Sequence, residues 1–132
     1  MAKRRYPLGE HEAESIVSST GRPLSELTLE NLRTGEIDAA DMSIHGDTLL
    51  AQAEVAEESG FPELAQNLRR AAELTAVPNE VVLSVYEALR PYRVTYEQML
   101  ELADDLETTY GAAENGRLVR EAAEAYKARG LF

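Results

Sequence analysis

Thr95-Tyr96-Glu97-Gln98-Met99-Leu100-Glu101-Leu102-Ala103-Asp104-Asp105-Leu106-Glu107-Thr108-Thr109-Tyr110-Gly111 is the stretch that decides the fold class. It opens with the spacing of a capping box. The Thr95 hydroxyl is placed to accept a free N–H of the first turn, and Gln98 is placed to reach back to the Thr95 N–H. Tyr96, Met99, Leu100, Ala103, Leu106 and Tyr110 then recur at intervals of three and four, which is one face of an α-helix. Gly111 stands where a left-handed terminating residue belongs. The pattern predicts a helix over residues 96–110.

The same signals run outward in both directions. Toward the C-terminus, Leu118, Val119, Ala122, Ala123 and Tyr126 mark a helix over 115–129, with Gly130 after it. Toward the N-terminus, Val82, Val85, Tyr86 and Leu89 mark a helix over 78–90 that Pro91 ends, because the residue before a proline avoids helical backbone. Leu64, Ala65, Leu68, Ala72 and Thr75 mark a helix over 62–76 that starts on Pro62, a residue suited to the first helical position. Leu49, Leu50, Ala53 and Ala56 mark one over 47–59, stopped by Gly60. Thr28 caps a shorter run, 28–34, that ends at Gly35. Residues 36–46 lack a clean period and read as a loop with a turn of helix. No segment alternates long enough to be a strand.

Residues 1–27 differ from the rest. Lys3, Arg4 and Arg5 are followed by Pro7, Gly9, Gly21 and Pro23, with few large apolar side chains. This predicts an extended N-terminal arm with at most one short helix near 12–18, suited to lying along a partner. The expected architecture is mainly α: a small irregular helical domain of about four to six helices over 28–132, preceded by the arm. The helical stripes are rich in alanine, which lets helices approach closely but buries little area. A thin core of this kind implies that part of the apolar surface meets another chain.

Composition excludes several functions. The chain of 132 residues has no Cys and no Trp and carries a net charge of -11. It has no disulfide, thiolate metal site or cysteine nucleophile. The charge repels phosphate backbones, so nucleic acid is not an expected partner. The acidity serves solubility or docking on a basic protein. No apolar run reaches membrane-spanning length and no export signal is evident, so a cytoplasmic location is expected. Only His11 and His45 are available as bases, and neither has a second histidine at ligand spacing. Asp104-Asp105-Leu106-Glu107 is followed by Thr108 at the i+4 position, where an aspartate-rich metal motif needs a carboxylate, and reads as a solvated face. The six tyrosines fall largely on core stripes. Glu97, Glu101, Asp104, Asp105 and Glu107 form an acidic run without a base inside it. Catalytic, cofactor-binding and metal-binding residues are therefore not expected on this chain. Arg90-Pro91-Tyr92-Arg93 is the most pointed local feature. Two guanidiniums and a ring on a proline-stiffened link fit either a helix-ending turn or a partner contact. Arg90, Tyr92 and Arg93 are the candidate interface residues.

Several stretches together resemble one family. They are Arg70-Ala71-Ala72-Glu73-Leu74-Thr75-Ala76-Val77-Pro78 and Tyr86-Glu87-Ala88-Leu89-Arg90-Pro91-Tyr92-Arg93, flanked by Leu27-Thr28-Leu29-Glu30-Asn31, by residues 39–42 with Thr48-Leu49, by Leu102-Ala103-Asp104-Asp105-Leu106-Glu107, and by Val119-Arg120-Glu121-Ala122-Ala123. In colinear order over roughly residues 6–129 they resemble the small (gamma) subunits of adenosylcobalamin-dependent diol and glycerol dehydratases. The resemblance implies a non-catalytic helical subunit packed on a large barrel subunit. It also implies a medium subunit, a dimer of heterotrimers, and adenosylcobalamin bound between the large and medium subunits. In such an assembly a 1,2-diol or glycerol becomes an aldehyde with loss of water. Two departures stand out. Tyr6-Pro7-Leu8 begins almost at once, without the longer leading extension that directs packaged relatives to microcompartments, so packaging through this chain is not expected. Residues 111–117 (GAAENGR) are more polar than the family pattern, so the start of the last helix is expected to shift. The alternative from a different class is a stand-alone acidic helical interaction module.

Overall fold

The computed structural model describes residues 3–132, so the first two positions of the expected arm lie outside the described residues. The described chain is helical: α1 (Leu8–His11), α2 (Leu29–Thr34), α3 (Gly46–Glu58), α4 (Pro62–Leu74), α5 (Asn79–Ala88), α6 (Tyr96–Thr108) and α7 (Ala113–Arg129), with 3-10 turns at Ala13–Ser15 and Leu24–Glu26. Strand-like pairing among the described residues is limited to isolated bridges, Val17 with Pro23 and Ser18 with Ile44. The mainly α architecture expected from periodicity is what the chain adopts. It divides into two compact units, one running through Thr75 and one spanning Ala76–Phe132. The residues of the expected arm belong to the first.

In the first unit, α3 and α4 form a hairpin across the link Ser59-Gly60-Phe61, with Gly60 at φ +87°. Their contact is made by Ala53, Ala56 and Ala65, with Leu68 packed beside them. Small side chains bring the backbones close. At Gly46, the first residue of α3, an added Cβ would lie 2.9 Å from the Thr75 hydroxyl and 3.3 Å from the Ala72 carbonyl oxygen. Leu50 and Leu64, expected on the buried stripes, are instead exposed, and Thr75 is exposed at the end of α4. The reason is that the close seam takes the alanines Ala51, Ala53, Ala56, Ala65 and Ala72, and the longer side chains beside them are turned outward.

The N-terminal residues are tied down by charge. Arg4 pairs with Glu12 at 2.9 Å and also with Glu54 of α3. The Arg5 N–H donates to Glu12 at 2.9 Å and, with the Arg4 guanidinium, holds that carboxyl below the usual carboxylate range. The short helix expected near 12–18 is split into α1 and a 3-10 turn, placed a few residues earlier. Residues 36–46 are ordered by two devices. Ile37 is buried, and Arg22 donates to the Glu36 carbonyl at 2.8 Å while pairing with Glu26 at 3.1 Å. The Thr20 hydroxyl and the Asp38 N–H, with Arg22 close by, hold the Asp41 carboxyl below its ordinary value.

In the second unit, α6 and α7 pack through Met99, Ala103, Leu106, Val119 and Ala123. The capping box of Thr95 and Gln98 is formed on both sides. The last helix starts at Ala113, two residues before the expected position, and buries Asn115 and Gly116. The helices approach closely there: a Cβ on Gly116 would fall 2.4 Å from Cγ of Glu107, so a larger residue would have to displace that side chain. The acidic run of α6 is also less bare than its sequence suggests: Arg120 of α7 reaches both Asp104 and Glu107, the latter at 3.1 Å. That partner lies more than a dozen residues away in sequence, beyond the reach of a local charge count.

Candidate partner-facing surface

The link between α5 and α6 is where the second unit is most unusual. Leu89 caps α5, Pro91 follows, and Tyr92 takes φ +64°, the one non-glycine residue with positive φ among the described residues. A proline followed by a residue of positive φ is the pattern of a type II turn, which ordinarily places Gly or Asn at the second position. A tyrosine there carries backbone strain of about 1 kcal/mol. The conformation is held from the other end of the unit, because the Tyr92 N–H donates to the Leu131 carbonyl at 2.8 Å. Gly130 turns the chain after α7, and Phe132 then sits edge-on to Tyr96 with ring centroids 5.9 Å apart and tilted against Tyr126 at 6.2 Å. The Tyr126 hydroxyl donates to the Leu89 carbonyl at 2.5 Å, which satisfies a carbonyl at the end of α5. Lys127 lies over the Tyr96 ring, 4.3 Å from its centroid. An aromatic clasp thus fixes the backbone of the link.

The side chains of that link point away from the clasp. Tyr92 is 68% exposed. Arg90 and Arg93 converge on one carboxylate, Glu87, at 3.2 and 3.3 Å. On α5, Leu83 and Tyr86 lie one turn apart and are 67% and 65% exposed. Tyr86 was expected on the buried stripe of this helix and is not there. Val82, Val85 and Leu89 of the expected stripe are half-buried, together with Val81 and the buried Ala88, and of that stripe Tyr86 alone falls outside. Of the three residues singled out from sequence, Arg90 and Arg93 share Glu87 and Tyr92 is exposed beside them, and Leu83 and Tyr86 are further exposed apolar side chains on the preceding helix. Periodicity alone missed these two, because Tyr86 falls at a spacing that fits the buried stripe and Leu83 lies off it without marking a surface.

His45 Nδ1 accepts the Asp47 N–H at 3.0 Å and so caps α3, while His11 stands exposed at the end of α1. Among the described residues no group of three or more His, Asp or Glu side chains is arranged to hold a metal ion. No helix among them is long and apolar enough to cross a membrane.

The second unit thus exposes Leu83 and Tyr86 on α5 and Tyr92 on the link that follows it. The chain belongs to the dehydratase small subunit family, whose pattern it matches over residues 1–132. It is 45% identical over 124 residues to the propanediol dehydratase small subunit of Citrobacter freundii, covering 94% of this chain and 72% of that one. It is 46% identical, with the same coverage, to the propanediol dehydratase small subunit of Salmonella typhimurium strain LT2. Homologues of the chain are thus parts of a dehydratase enzyme.

Proposed function

We propose that the chain is the non-catalytic small subunit of a coenzyme B12-dependent diol or glycerol dehydratase, working in the cytoplasm. It packs on and stabilises the large catalytic subunit within a dimer of heterotrimers that includes a medium subunit. The observation that carries this reading is the colinear likeness of 124 residues to small subunits of propanediol dehydratases. The geometry supports it. Tyr92, with Arg90, Arg93, Leu83 and Tyr86, offers exposed side chains for contact, and its ring stands on a strained backbone position fixed by the bond to Leu131.

Adenosylcobalamin belongs on the other subunits in this reading, where it supplies the radical that starts the reaction. The residues here do not fit it. His45 commits Nδ1 to capping a helix, and His11 stands among Glu10, Glu12 and Glu14 rather than against an apolar wall. This chain contributes enclosure and association, while the cofactor carries the radical chemistry.

Reconstitution tests the proposal. The large and medium subunits are produced with and without this chain, and cobalamin-dependent aldehyde formation is assayed on glycerol and on 1,2-propanediol. Co-purification of the chain, with loss of activity or soluble yield in its absence, is the expected result. A chain that neither binds nor matters would leave the stand-alone interaction module as the better account.

A further inference from the structure

The first unit carries an apolar groove of about 680 Å³ that the contact surface described above does not include. Tyr6, Leu8 and Ile16 form one wall, and Phe61, Leu64 and Leu68 form the other. Along its floor Thr48, Gln52, Val55 and Ser59 follow one another at helical-turn intervals on α3. That gives a trough about 16 Å long, or three turns of a helix. Tyr6, Phe61 and Leu64 are 72%, 60% and 51% exposed, so the walls are apolar and open to solvent. No charged side chain lines the trough.

Its borders are acidic. Glu10, Glu58 and Glu63 each adjoin a lining residue in sequence, are exposed, and have no ion-pair partner among the described residues. The guanidiniums of Arg4 and Arg69 are already committed to Glu12, Glu54 and Glu57, and Arg5, the exposed cation beside Tyr6, donates to the His11 carbonyl at 3.2 Å, which leaves three free carboxylates against one cation on the rim. Residues 3–75 hold fourteen Asp and Glu against seven Lys and Arg. A hydrophobic trough with an acidic rim selects a segment of the opposite pattern, apolar on one face and positive at its edges. We propose that this groove docks a basic amphipathic helix of a partner protein, of about three turns, with leucine-like side chains in the trough and Lys or Arg facing Glu10, Glu58 and Glu63. The inference rests on the first unit alone and stands apart from the dehydratase reading.

The test uses the full chain and a fluorescent helical peptide of about twelve residues, with four Leu on one face and Lys on both flanks. A peptide with Glu in place of each Lys serves as control. Anisotropy titration is expected to show saturable binding of the Lys peptide, at least tenfold weaker binding of the Glu peptide, and weakening with salt. Because an acidic protein attracts any basic peptide, location decides the matter. Phe61→Ser with Leu64→Ser is expected to weaken binding at least tenfold, and Glu58→Lys with Glu63→Lys at least fivefold. Glu97→Lys with Glu101→Lys, in the second unit, is expected to change it less than twofold. All these positions are exposed, and circular dichroism verifies that each variant stays folded. Absence of saturable binding overturns the proposal, as does equal loss from the groove and the second-unit variants.

Discussion

Replacing Tyr92 by glycine separates a residue that serves the fold from one that serves a partner. Glycine adopts φ near +64° freely, so the substitution relieves about 1 kcal/mol of backbone strain. Against this stands the buried part of the ring. Tyr92 is 68% exposed, so roughly a third of an area of about 200 Å² is lost from contact, a cost of at most about 1.5 kcal/mol. The Tyr92 N–H to Leu131 bond is backbone and survives. The two effects nearly cancel, and the isolated chain is expected to unfold in urea within about 1 kcal/mol of the parent. Association tells the other half. A central tyrosine at an interface commonly contributes 2 kcal/mol or more, so binding to the large subunit should weaken about thirtyfold or beyond. The paired assay is chemical unfolding of the free chain and titration onto the large and medium subunits. A loss above about 2 kcal/mol in the free chain, or an unchanged affinity, would refute the argument that the ring is held for a partner.

Two further predictions concern the first unit. Gly46→Ala should destabilise it by about 1–2 kcal/mol despite the better helix propensity of alanine, because the new methyl meets the Thr75 hydroxyl at 2.9 Å. Removing that hydroxyl with Thr75→Ala should make Gly46→Ala neutral, so a double-mutant cycle by thermal unfolding should show coupling of about 1 kcal/mol, and additivity would contradict the close approach. Glu12 and Asp41 have carboxyls held below their ordinary values by the Arg5 N–H and the Thr20 hydroxyl respectively. Their contribution is fully present above the unfolded carboxylate value near pH 4 and is lost as pH falls through the lower folded values. Carbon NMR titration should place each midpoint below the ordinary value for its residue type, and ordinary midpoints would contradict the bonds described.

Most helix existence and type was legible in the sequence, because caps and stops are local chemistry. Thr95 with Gln98, Thr28 with Gly35, and Pro62 behave as their spacing requires. What was hidden depends on contacts between distant residues. The exposure of Tyr86 on α5, beside half-buried Val82, Val85 and Leu89, is set by packing that the helical period alone does not encode. The neutralisation of Asp104 and Glu107 depends on Arg120, and the order of residues 36–46 depends on Arg22. At the candidate surface, Arg90, Tyr92 and Arg93 could be singled out because arginine and tyrosine beside proline is unusual chemistry. The positive φ of Tyr92 could not, since only the position after Pro91 hints at it and glycine is the usual occupant.

The thin core expected from the alanine-rich stripes bears on what the chain needs in order to stay folded. Nine of the fifteen buried apolar residues are alanine, and Ile37, Met99, Leu106 and Val119 are the largest side chains that are fully buried. Each unit has fewer than 80 residues. A single core of that size rarely supplies more than about 3–5 kcal/mol. Meanwhile Leu29, Phe61, Leu64, Leu83, Tyr86 and Tyr92 all remain exposed. Covering such surface with a partner adds stability by mass action, about 2.7 kcal/mol when the partner stands at a hundredfold excess over its dissociation constant. That increment is comparable with what either core supplies alone. The unfolding midpoint of the chain should therefore rise with the concentration of the other subunits rather than stay fixed. A midpoint that does not move across a hundredfold range of partner would mean the exposed apolar residues are not where the chain is held.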